Sequence, residues 1–197
     1  MIPLRLEPGQ ILRAYRLGFF PMAESRSGPV SWCSPDPRAI IPLDSFHVGR
    51  SLRRTVRRKV FDVRCDTAFE RVVRLCAQRE ETWISEEIVR AYCALSEGGW
   101  AHSVECWTEG DLAGGLYGVA IGAAFFGESM FSLRTDASKV ALVHLVEILR
   151  SSGYTLLDAQ FATDHLRRFG ACELPREEYL KILDAALGRD VRFASRS

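Results

Sequence analysis

The chain has 197 residues, 47% of them hydrophobic and 26% charged, with 26 Lys and Arg against 25 Asp and Glu for a net charge of +1. That suits one ordinary domain with room for a small appendage, apolar enough to bury a core and too evenly charged to be drawn to a polyanion as a whole. The balance excludes a disordered chain, and six cysteines without a C-x-x-C pair or a histidine at ligand spacing argue against zinc and a disulfide scaffold.

The start, Met1 to Glu7, lacks the basic-then-apolar pattern of a signal peptide. The longest uncharged stretch, Leu112 to Gly127, is Gly-rich and short for a membrane span. A cytoplasmic protein with free thiols is the expectation. Residues 1–46 hold seven of the eight prolines and read as irregular apart from a helix over Pro8 to Leu17 that stops at Gly18; they form the expected small N-terminal domain, and residues 47–197 the larger one. From His47 the pattern turns helical. Arg50, Arg53, Arg54, Arg57 and Arg58 share one helix face, leaving Leu52, Val56 and Val60 to bury. A second helix is expected over Asp66 to Arg79, capped by Asp66 or Thr67, and a third behind an N-cap at Ser85. Strands follow over Ala101 to Trp107, Leu112 to Ala120 and Ala123 to Phe126. Next come a helix over Ser138 to Arg150, a buried strand over Thr155 to Asp158 and a last helix over Arg176 to Leu187. The order is α+β and suits an acyltransferase-type sheet.

Three features carry possible chemistry. Glu128 sits just past a strand beside aromatics, where it either binds an amine or is an exposed turn residue. Asp158 and Gln160 close an apolar strand; Asp158 there accepts a proton, holds a cation, or caps the next turn. The arginine face has no acid between Arg50 and Lys59, so either RNA phosphate meets it or acids elsewhere in the fold do. Trp32, Trp83, Tyr92 and Trp100 can each stack on a nucleobase or simply fill the core.

The segments, in order, resemble the leucyl/phenylalanyl-tRNA–protein transferase family. The matching pieces are Tyr15 with Gly18-Phe19-Phe20-Pro21, Ser34-Pro35-Asp36-Pro37-Arg38, Thr82-Trp83-Ile84, Gly114-Gly115-Leu116-Tyr117-Gly118, Phe126-Gly127-Glu128-Ser129-Met130-Phe131-Ser132, Asp158-Ala159-Gln160 and Gly170-Ala171-Cys172-Glu173. The resemblance implies a GNAT-like catalytic domain behind a small N-terminal domain. It implies transfer of Leu or Phe, and less readily Met, from aminoacyl-tRNA to proteins beginning with Arg or Lys, which marks them for N-end-rule degradation, by a monomer without cofactor or metal. By the same resemblance Asp158 and Gln160 are catalytic, and Leu116, Glu128, Met130 and Leu157 shape the pocket for the transferred side chain. Trp83 and Tyr92 lie near the terminal adenosine, and the arginine helix binds tRNA. The sequence departs from the family pattern in Cys33, where a second tryptophan is usual, in Ala159, where a cysteine is common, and in a shorter first domain.

An aminoacyl ester is activated, so attack by an amine runs downhill, and Asp158 is expected to take the amine's proton directly or through Gln160. An acyl-CoA-dependent acetyltransferase is disfavoured because the helix after the central strands opens with Asp136-Ala137-Ser138-Lys139, not with a Gly-rich pyrophosphate turn. A non-catalytic RNA-binding module would keep the arginines without needing Asp158 and Gln160.

Overall fold

A computed structural model describes residues 6–194. In chain order the elements are α1 (Pro8–Arg16), β1 (Phe20–Ala23), β2 (Val30–Cys33), β3 (Arg38–Ile40), α2 (Arg50–Arg57), β4 (Asp62–Cys65), α3 (Phe69–Cys76), α4 (Glu86–Glu97), β5 (Ala101–Thr108), β6 (Asp111–Ile121), β7 (Ala124–Ser132), α5 (Ala137–Ser152), β8 (Leu156–Gln160), α6 (Asp164–Arg167), β9 (Cys172–Leu174) and α7 (Arg176–Leu187). The α+β class read from the sequence is what forms.

Seven strands make one sheet in the order β4-β5-β6-β7-β8-β3-β9, and β1 and β2 pair separately as a hairpin. Every pairing is antiparallel except β7 with β8. That parallel pair needs a crossover, which α5 supplies. Each face of the sheet buries its own core. On one face α1, α3, α4 and α7 pack through Ile11, Val72, Val73, Ile88, Leu95 and Leu183. On the other, α5 buries Val140, Leu142, Leu145, Val146 and Leu149, and α2 adds Leu52. Each such aliphatic side chain contributes about 1.5–3 kcal/mol of burial, set against the entropy of ordering the chain.

Several sequence expectations hold at the level of single residues. Ser85 caps α4 by accepting from the Ile88 amide, and Gly153 ends α5 in the left-handed conformation that favours glycine. Others give way to tertiary contacts. The segment 38–40, grouped with the irregular N-terminal region, is a strand inside the main sheet, between β8 and β9. The helix expected from Asp66 begins only at Phe69, preceded by the strand β4. Neither Asp66 nor Thr67 caps it. The carboxylate of Glu105, fully buried on β5, accepts from the Thr67 and Ala68 amides and does that work from across the sheet. Asp66 instead accepts from the Ser103 amide and pairs with His102. Val60 stays 51% exposed because α2 has ended before it. Asp136 precedes α5 without capping it through its side chain; it holds Lys139. Finally β7 runs to Ser132, so Glu128 and Met130 lie within a strand and not past its end.

Candidate active site

β7 and β8 run side by side for three registered positions, Ala124 with Leu156, Phe125 with Leu157 and Phe126 with Asp158, and then separate. Beyond that point β7 pairs only with β6, while β8 keeps β3 along its other edge through Asp158 and Gln160. The parting opens a cleft of about 770 Å³.

The register of β6 on β7 shifts inside this cleft. Gly118 faces Gly127, but Tyr117 faces Ser129, so Glu128 is the extra residue of a bulge. Bulges re-aim a side chain and recur beside functional sites. Phe126 and Glu128 share a face by ordinary alternation, which brings Glu128 to Tyr15 and Tyr92, and the bulge then resets the alternation so that Met130 falls on the opposite, α5 side. A side chain at Gly118 would collide with the Phe126 carbonyl and the Phe125 ring, so this tight stretch of β6 requires glycine.

Alternation along the strands gives the two walls different chemistry. On the α5 side the lining is apolar: Leu116, Met130, Leu142, Leu145 and Leu157. On the opposite side it is polar and centred on two carboxylates. Glu128 accepts from the Tyr15 hydroxyl at 2.7 Å, the Tyr92 hydroxyl at 3.0 Å and the Gln160 amide at 3.2 Å, and the two tyrosine oxygens lie 2.5 Å apart. Burial pushes the Glu128 carboxyl up to about 7, against the two tyrosine hydrogen bonds, with Asp158 adding to the rise and Arg38 opposing it. Burial, reinforced by Glu128, likewise holds both tyrosines well above their ordinary range.

Asp158 is fully buried and saturated. Its Oδ1 accepts from Arg38 Nε at 2.9 Å and from the Gln160 amide N–H at 2.9 Å; its Oδ2 accepts from Arg38 Nη2 at 2.6 Å and from the Tyr179 hydroxyl at 2.7 Å. A carboxylate offers about four lone-pair sites, and here all four are taken by donors. The guanidinium of Arg38 lies between the rings of Phe20 and Tyr179, 4.9 and 4.6 Å from their centroids, and its Nη1 donates to the Gly18 carbonyl. Burial works to lower the basicity of Arg38, and Asp158 outweighs it. This cluster holds Gln160 in place. Gln160 has φ 55, a left-handed conformation that is strained for a residue with a side chain, and its amide is tied to Asp158.

Most of the residues singled out in the sequence therefore converge. Asp158, Gln160, Leu116, Glu128, Met130, Leu157 and Trp83 all line the cleft. Of the roles open to Asp158, the geometry shows it holding a cation, Arg38, together with the Gln160 backbone amide, with all four lone pairs in use. Tyr92 does not line the cleft; it is fully buried behind the wall and reaches the site only through Glu128, so stacking on a base is closed to it. Arg50, Arg53, Arg54, Arg57 and Arg58 are exposed on or beside α2, outside the cleft, and none pairs with an acid among the described residues. Sequence reasoning assigned no role to Tyr15, Arg38 or Tyr179. The first two stand in quoted motifs, but their partners lie 113 and 120 residues away, and Tyr179 reads as one more apolar position of α7.

A family model described as leucyl/phenylalanyl-tRNA protein transferase matches residues 40–184, and that of the N-terminal domain of the same family matches residues 5–36. Curated proteins named leucyl/phenylalanyl-tRNA–protein transferase are similar along most of the chain. The one from Chlorobaculum tepidum is 55% identical over 93% of this chain and 96% of its own length. Those from Paramagnetospirillum magneticum and Salinibacter ruber are 57% and 55% identical, covering 93% and 94% of this chain and 90% and 82% of theirs. Among solved structures, L-PGS from Bacillus licheniformis aligns with 82% of this chain and 55% of its own at 16% identity and a TM-score of 0.42.

Proposed function

Because the chain belongs to the leucyl/phenylalanyl-tRNA protein transferase family, we propose that it transfers Leu or Phe, and less readily Met, from aminoacyl-tRNA to the N-terminal Arg or Lys of acceptor proteins. The new peptide bond marks the acceptor for N-end-rule degradation. The observation that carries this reading is one cleft with an apolar wall and a polar wall, meeting where β7 and β8 part.

The apolar wall of Leu116, Met130, Leu142, Leu145 and Leu157 receives the donor side chain. Unbranched-at-Cβ apolar chains fit such a surface, and the methionine adapts to Leu, Phe or Met. The polar wall receives the acceptor. Its amine needs a neutral nitrogen to attack, and an α-amine with an ordinary pKa of about 7.7–8.0 asks little of a base. Holding amine and ester together supplies much of the acceleration, because both enter one wedge between two fixed strands. Gln160, held by Asp158, offers its amide to the reacting groups. Asp158 is a positioning residue for Gln160 and for Arg38. Trp83, half-buried at the cleft, stacks on the terminal adenosine, and the arginine face of α2 meets the phosphates of the tRNA body.

The test is transfer of radiolabelled leucine from Leu-tRNA to a peptide beginning with Arg, beside one beginning with Ala. Labelling of the Arg peptide alone is expected. Binding of tRNA without labelling from Leu-, Phe- or Met-tRNA would overturn the catalytic reading in favour of a binding module.

A further inference from the structure

We infer that Tyr15, Tyr92 and Glu128 form a closed ring that shares one exchangeable proton and serves as the proton-transfer group of the reaction, an assignment that rests on reading the cleft as a transferase site.

The three groups do not hold enough protons to fill their contacts when Glu128 is ionised. Three oxygen-to-oxygen contacts close the ring: Tyr15 to Tyr92 at 2.5 Å, Tyr15 to Glu128 Oε1 at 2.7 Å and Tyr92 to Glu128 Oε2 at 3.0 Å. The two hydroxyls bring two protons, and an ionised carboxylate brings none. With Glu128 ionised, one contact has no proton in it. A protonated Glu128 supplies the third, and each group then donates to the next around the ring, an arrangement in which hydrogen bonds reinforce one another. The ring therefore has a definite use for one more proton and a definite place to lose it from. Gln160 Nε2 donates to Glu128 Oε1 from the cleft side, so the ring touches the same amide that Asp158 positions.

The alternatives nearby are committed. Asp158 has all four lone pairs filled, and the Tyr179 hydroxyl is spent on it. The groups facing Glu128 are Tyr15 from α1, Tyr92 from α4, Tyr117 from β6, Asp158 from β8, Arg38 from β3 and Tyr179 from α7, with Cys76 and Arg79 beyond Tyr117 at the end of α3. Among these Glu128 is the group whose titration is brought to about 7, close to that of the acceptor amine. His165, also in the cleft lining, is held below its ordinary range by burial and by Lys139.

In the step itself the acceptor nitrogen attacks the ester carbonyl carbon and a C–N bond forms. The ester C–O bond breaks, its electron pair going to the ribose oxygen. The nitrogen loses a proton to the Glu128 carboxylate, and the ring returns one proton to the ribose oxygen, which leaves as a hydroxyl. The ring ends as it began.

Infrared difference spectra of the full chain between about pH 6 and about pH 8 bracket this titration. We expect a carboxylic-acid C=O band that titrates near 7, is absent from Glu128→Gln and is displaced in midpoint by Tyr15→Phe. In leucine transfer, Glu128→Gln is expected to lose roughly 100-fold or more in kcat, with KM for the peptide changed by no more than about threefold, and to lose the rise of kcat with pH through neutrality. Tyr15→Phe is expected to move that rise along the pH axis; a merely structural tyrosine would lower the rate equally at every pH. A wild-type spectrum without the band, or a Glu128→Gln variant that keeps the rise, overturns the ring. Absence of any transfer by a wild-type chain that shows the band overturns the transferase reading, and the ring's catalytic role with it.

Discussion

The buried Arg38–Asp158 pair offers the sharpest test of how this site is held. Replacing Asp158 with Asn keeps the shape and removes the charge. The asparagine oxygen can sit where Oδ1 was and still accept from Arg38 Nε and the Gln160 amide. Its NH₂ then occupies the Oδ2 position, where Arg38 Nη2 also donates, so two donors face each other at a site that was 2.6 Å across. Tyr179 can turn its hydroxyl to accept, but no rotation relieves Arg38, which is 1% exposed and left without a counter-charge. Removing one partner of a buried pair costs about 3–5 kcal/mol, and with both groups away from water there is no screening to reduce it. For a chain of this size that lowers Tm by roughly 6–20 °C. Urea unfolding should show the same loss as a lower midpoint at unchanged slope. The double variant Arg38→Met with Asp158→Leu should recover much of the stability, since a well-packed apolar pair often matches a buried ion pair. It should not recover transfer, because the Gln160 amide loses its acceptor. An Asp158→Asn protein that unfolds at the wild-type midpoint would refute the claim that this pair holds the strands around the site.

Three further outcomes follow from other parts of the molecule. Glu128 binds its proton more tightly in the folded chain, near 7, than in the unfolded one, near 4.5; its contribution to stability is therefore full below about 4.5 and is lost as pH rises to about 7, by roughly 3 kcal/mol at most, and Glu128→Gln should flatten the urea midpoint over that window. Glu105→Gln should cost about 2–3 kcal/mol and speed amide exchange at the start of α3, because the carboxylate serves the Thr67 and Ala68 amides, Ser103 and Trp107 together. Changing Arg53, Arg54 and Arg57 to Gln should weaken tRNA binding and reduce the slope of log affinity against log salt by about 2–3, with kcat at saturating tRNA unchanged; an unchanged slope would place the RNA elsewhere.

Local chemistry was the legible part of this fold. Ser85, Gly153 and the span of α7 declare themselves through caps, stops and periodicity that act within a turn or two of helix. What escaped the sequence is held from a distance. α3 starts late because Glu105, 37 residues away, caps it. β3 is three residues long and follows prolines, so only its neighbours β8 and β9 reveal it as a strand. The bulge at Glu128 is a register shift between two strands, which the pattern of either strand alone cannot display. The same holds in the site. Its cleft-lining members stand in motifs, whereas the partners that fill Asp158, Arg38 and Tyr179, come from distant segments and show only in the fold.

The parting of β7 from β8 has one more consequence. A strand with a free side normally lies at the rim of a sheet, where unpaired backbone groups invite other chains to pair and aggregate. Here Gly127 to Met130 keep a side without a strand partner in the middle of a seven-stranded sheet, with β8 and β3 standing across the gap. Arg79 already donates to the Met130 carbonyl from the cleft mouth. The unpaired backbone of Gly127 to Met130 thus lies on the cleft wall, inside the sheet and away from the rim where a second copy could pair with it.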